Sequence, residues 1–181
     1  MFSAFKATML PQMQSLVFGK SIENWAKSFA QSYDIAIRSG KTTVTSIPIM
    51  QGNKSAMESM LITISKQTTM SQAGSLLQNI GPAVISYWAG AQLMLIPPLI
   101  PCPGSIANIA ATSAPVINPG TWTPMPVPPN NNPMTFLNAF ATAASIHLTT
   151  VSGIHFCVSN YPGIPVIVAP GVLPWTGYMA I

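Results

Sequence analysis

The stretch Ser21-Ile22-Glu23-Asn24-Trp25-Ala26-Lys27-Ser28-Phe29-Ala30-Gln31-Ser32-Tyr33-Asp34-Ile35-Ala36-Ile37-Arg38-Ser39-Gly40 decides the fold. Ile22, Trp25, Ala26, Phe29, Ala30, Tyr33, Ala36 and Ile37 recur every three or four residues, which puts them on one stripe of an amphipathic helix. Ser21 is placed to cap the first turn, and Glu23 sits where the helix dipole favours an anion. Arg38 falls in the last turn and Gly40 is placed to stop it. The stripe of two large aromatics and an aliphatic end should be buried, with Lys27, Gln31, Asp34 and Arg38 mostly outward.

The flanking sequence carries more helix. A less regular one is expected within 2–18, with Pro11 at a start or kink and Gly19 as a stop. Another starts near Asn53 or Ser55 and runs to about Gln67, with Met57, Met60, Leu61 and Ile64 on one face. Residues 71–95 give a long apolar helix that Gly81-Pro82 either kinks or divides. Between these, 42–50 is β-prone, but Pro48 confines it to an edge strand or an extended link.

From Ile96 the pattern changes. Eleven of the 18 prolines fall between Pro97 and Pro133, which excludes long regular elements and favours extended chain. Ile106, Ile109, Val116, Ile117, Trp122 and Val127 are too apolar for a free linker, so an ordered arm lying across another surface is expected. Helix returns over 134–149, followed by short strands at 154–158 and 164–168 with turns at Asn160–Gly163, Pro170-Gly171 and Trp175–Gly177. The fold class expected is mainly α (α+β). Its parts are a helical body over 1–95, a proline-rich extended arm over 96–133, and a helix with short strands over 134–181 that packs on the body or on neighbouring subunits.

Charge separates these parts. Seven Lys and Arg and three Asp and Glu make up 6% of the chain, against about 25% in an ordinary domain. All ten lie between Lys6 and Lys66, so residues 67–181 carry none beyond two histidines. Normal hydrophobicity argues against disorder, which needs few apolar residues and high net charge. A surface without charges tends to self-associate, so the second half is expected to be covered by neighbouring subunits or lipid. The seven cations are scattered singly, which argues against nucleic-acid binding, because phosphate recognition needs several on one face.

Several motifs fail on inspection. Ser39-Gly40-Lys41-Thr42-Thr43 mimics the end of a phosphate loop, but Ile35 stands where another glycine is needed, and the segment follows a helix instead of opening one. His147, His155, Cys102 and Cys157 are metal ligands by type, yet they lack paired zinc spacing, and no metal or other cofactor is expected. A catalytic thiol would find no carboxylate in the second half to orient its base. Glu23 and Asp34 are eleven residues apart on one helix, roughly 16 Å along its axis, too far to share a substrate bond. These observations argue against an enzyme and leave no small-molecule substrate. Residues 80–100 are uncharged over a membrane-spanning length, so a small membrane protein with one span there is the alternative. Pro82, Gln92, Pro97 and Pro98 weigh against it, and a helix buried in an assembly is preferred.

Trp25, Tyr33 and Asp34, then Gln51-Gly52-Asn53, then Gly81-Pro82 with Tyr87-Trp88-Ala89-Gly90-Ala91, lead into the proline-rich arm. Together with His147-Leu148, Thr150–Ile154 and Pro174–Tyr178, this pattern resembles small structural proteins of large tailed bacteriophages. The resemblance implies a virion subunit present in many copies, in a tail, baseplate or neck, whose partners are copies of itself and other virion proteins. The aromatics expected as interface anchors are Trp88, Trp122, Tyr161 and Trp175, with an ordinary core position as the alternative for each.

Overall fold

In the computed structural model, residues 2–16, 22–43, 49–67, 73–93, 116–127, 132–157 and 171–179 are described. Five helices dominate: α1 (Ser3–Leu16), α2 (Ile22–Arg38), α3 (Lys54–Gln67), α4 (Ala73–Trp88) and α5 (Pro133–Thr150). The strands are short: β1 (Lys41–Thr42), β2 (Ile49–Gln51), β3 (Gln92–Leu93), β4 (Val116–Asn118), β5 (Ser152–Cys157), β6 (Gly171–Thr176) and β7 (Tyr178–Met179). This is a mainly α protein with small antiparallel sheets.

Helix α2 is the centre of the packing. It lies against α1 and α3, α3 lies against α4, and α5 closes the bundle against α1 and α4. Its expected stripe is buried from Trp25 to Ile37. Asp34 departs from the expectation: it is only 6% exposed, because it stands four residues after Ala30 and three before Ile37, on the stripe itself. At the heart of the core, Phe140 of α5 meets Phe5, Phe29 and Tyr33, with ring centroids 5.0, 4.8 and 6.1 Å away. Phe2 stacks on Tyr33 at 6.0 Å and is fully buried. The C-terminal helix therefore packs on the chain's own body, one of the two possibilities open at the level of sequence.

Two prolines lie inside helices, Pro11 in α1 and Pro82 in α4, and neither ends its helix. Each removes a bond to the carbonyl four residues earlier. Those carbonyls belong to Ala7 and Gln78, both exposed residues like the prolines themselves, where water is available as a donor. Asn132 caps α5 by accepting from the Met134 amide, with Pro133 at the first helical position.

The charge-free stretch 80–100 does not form a continuous helix. Helix α4 stops at Trp88, the chain reverses through Ala89 and Gly90, whose φ is +81°, and Gln92–Leu93 pairs antiparallel with Ile49–Gln51. Among the described residues no helix is long and apolar enough to cross a membrane; of the alternative span at 80–100, residues 80–93 form a helix end and a strand paired with β2, and 94–100 lie outside the described residues.

Of the remaining strands, one pair ties the two halves together. β7 pairs with β1, Thr42 opposite Tyr178, and the Tyr178 hydroxyl donates to the Ile37 carbonyl at 2.7 Å. β4, β5 and β6 form a three-stranded sheet in that order, with Ile117 opposite Gly153 and Gly153 opposite Trp175. The strand expected at 154–158 is observed as β5. That expected at 164–168 lies outside the described residues; the observed partner of β5 is β6, across the expected turns at Pro170-Gly171 and Trp175–Gly177. Gly177 itself turns the chain between β6 and β7 with φ +85°.

Candidate functional site

Two neighbouring features of the body bear on function: a polar pocket, and the seat on which residues 116–127 lie. The pocket has a volume of about 320 Å3 and is lined by Asp34 and Arg38 of α2, Gln51 and Gln92 of the β2–β3 pair, and Asn53, Lys54 and Glu58 at the start of α3. Four of the chain's ten charged side chains meet here, two of each sign.

Beneath the pocket the core is hydrogen-bonded. Tyr87 donates its hydroxyl to Asp34 Oδ1 at 2.8 Å, and Arg38 approaches Oδ2 at 3.7 Å. Trp88 Nε1 donates to the Tyr33 hydroxyl at 3.1 Å. Successive residues of α4 thus engage successive residues of α2. Burial raises the pKa of Tyr87 far above that of an ordinary phenol, and the adjoining Asp34 carboxylate raises it further. Burial also raises Tyr33. Both remain neutral, Tyr87 as the donor to Asp34 and Tyr33 as the acceptor from Trp88.

Local backbone geometry permits this contact. Gly52 lies against the ring of Tyr87, where any Cβ would overlap the ring carbons and hydroxyl. The Asn53 amide donates to the Tyr87 carbonyl at 2.8 Å, and Asn53 Nδ2 reaches the Ala89 carbonyl at 3.4 Å. Asn53 Oδ1 also accepts from the Ala56 amide, capping α3. The segments Tyr33-Asp34, Gln51–Asn53 and Tyr87-Trp88, separate in sequence, are one constellation in space. What it offers chemically is hydrogen bonding and balanced charge. Among the described residues, no group of three His, Cys, Asp or Glu side chains could hold a metal ion.

The second feature is the seat of the arm. Of the expected anchors, Trp88 is fully buried in the chain's own core, so it is a core residue and is corrected from an interface position. Trp122 is half-buried on α4 and α5: its ring covers Gly81, its Nε1 donates to the Leu77 carbonyl at 3.2 Å, and it lies 5.8 Å from Phe140. Trp175 is on β6 and Tyr161 lies outside the described residues, as do Cys102 and the arm before Val116. Sequence reasoning missed the seat's main polar group. His147 is fully buried, and its Nε2 donates to the Pro119 carbonyl at 2.7 Å. Its position on the apolar face of α5 carried the only signal.

No family model, no curated protein and no solved structure matches this chain.

Proposed function

We propose that this chain is a structural subunit of a viral particle, of the tail, baseplate or neck type, acting through subunit assembly and not through catalysis. The observation that carries the reading is the charge-free exterior of the second half. Helix α5 presents Asn138, Thr142 and Thr149 outward, with Met134 and Ile146 exposed by 36% and 41%. The strap 116–127 adds Asn118, Thr121, Thr123 and Pro126, again without charge. A body whose core is already complete gains nothing internally from such a surface; burying it against neighbours releases water at roughly 25 cal/mol per Å² of apolar area. The polar pocket, where charge is concentrated, is the counterpart that stays solvated or meets polar partners.

The test is sedimentation of the purified protein without detergent, together with mass-spectrometric detection in purified virus particles. Large detergent-independent assemblies and a stoichiometric place in the particle are expected. A protein that remains monomeric at high concentration and is absent from particles would overturn the reading.

A further inference from the structure

We infer that residues 116–127 form a strap latched to the helical body by His147, and that mild acid opens the latch. The strap has little regular structure beyond β4, so a few contacts decide where it lies. His147 and Thr150, three residues apart on α5, hold it from below. The imidazole takes the Pro119 carbonyl, and the Thr150 hydroxyl accepts from the Thr121 amide at 2.9 Å. Gly120, with φ +76°, passes close over Thr150 between these two bonds. Trp122 then turns inward onto Gly81 and Leu77.

The imidazole is caged. Its centroid lies 6.4 Å from the Trp88 indole and 5.9 Å from that of Trp122. A carbonyl can only accept, so the single proton of the neutral ring is on Nε2. The other nitrogen, Nδ1, is buried with no hydrogen-bond partner. Protonation would place an N–H there without an acceptor and a positive charge in a fully buried site. The buried titratable groups on the elements around this cage are Tyr33 and Asp34 of α2, Tyr87 of α4 and Tyr178 of β7, while Glu23, Lys27 and Arg38 of α2 are exposed. The tyrosines are neutral in acid, and Asp34 is engaged by Tyr87 and Arg38. Neither neutralises an imidazolium: what acts on His147 is burial, which lowers its pKa to about 4, opposed by the Pro119 carbonyl.

The sign follows. An imidazole freed into water titrates near 6.5, above its value in the closed seat, so the open state binds the proton more tightly. Closure is fully favoured above about pH 6.5 and is lost as the pH falls toward 4, weakening by up to roughly two orders of magnitude across that window. Opening exposes Trp122 and uncovers the seat beside Trp88 and Phe140. The latch is independent of the virion reading, since it depends only on the chain's own contacts.

The experiment is acrylamide quenching of tryptophan fluorescence between pH 7.5 and 4, with far-UV circular dichroism on the same samples. Quenching should increase as the pH falls while helical ellipticity persists. The increase should be smaller in Trp122→Phe, and lost in His147→Gln, whose side chain can donate to Pro119 but cannot take up a proton. NMR titration of the two histidines in the unaltered protein supplies a readout that needs no variant: one should titrate well below 6.5, together with the quenching change. Quenching that does not change with pH, or helix loss at the same midpoint, would overturn the latch. An ordinary midpoint for both histidines would do the same.

Discussion

Tyr87 and Gly52 make sharp demands on their neighbours. The hydroxyl of Tyr87 supplies a donor to a carboxylate that is almost wholly inside the protein. In Tyr87→Phe the ring packing would persist but Asp34 would lose that donor, at a cost of about 1.5–3 kcal/mol for a hydrogen bond to a charged group. Urea denaturation would register it as a lower midpoint with an unchanged slope, and equal midpoints would mean that Arg38 alone suffices. Gly52→Ala should cost at least as much, because the added methyl displaces the Tyr87 ring and with it the bond to Asp34. Combining the two substitutions should cost less than their sum, since both act on one contact. Asp34 was expected outward on its charge, although its spacing from Ala30 and Ile37 places it on the stripe that the fold buries. Which donor resolved that conflict was not legible, because Tyr87 is 53 residues away in the chain.

Helices α2 and α3 were readable from periodicity, and α5 from its apolar run, because each buries a face whose spacing is local. The end of α4 was not. Gly90 does not by itself forbid another turn of helix, but it takes a positive φ at the turn, and the chain beyond it is held by pairing of β3 with β2, a contact between residues about 40 positions apart. For Pro11 and Pro82 the sequence left a boundary or a kink open, and both lie inside their helices. Pro82 nevertheless has a cost. Pro82→Ala would restore an amide donor to the Gln78 carbonyl, and should raise stability by about 1–3 kcal/mol in chemical denaturation. A lowered midpoint would instead mean that Pro82 shapes α4 to receive Trp122 on the adjoining Gly81.

Across the whole molecule, the division by charge survives but no longer coincides with a division of the fold. The first 66 residues hold every charged side chain, yet their aromatic core is completed by Phe140, and β1 is paired by β7. If the uncharged half mediates assembly, association should be insensitive to sodium chloride between 0.05 and 0.5 M, since screening has little to act on there. Sulfate should strengthen it by favouring burial of apolar surface. Dissociation by sodium chloride, followed by light scattering, would point to the charged pocket as the contact instead. The pairing of β1 with β7 also bears on how the chain is made. Tyr178 bonds to Ile37 across 141 residues and packs on Trp88 at 5.3 Å. Contacts of such sequence separation form late and slow folding. While a ribosome is still short of residue 178, α2 and α4 wait with one side uncovered, and a nascent chain of this kind is exposed to neighbouring nascent chains before it can close upon itself.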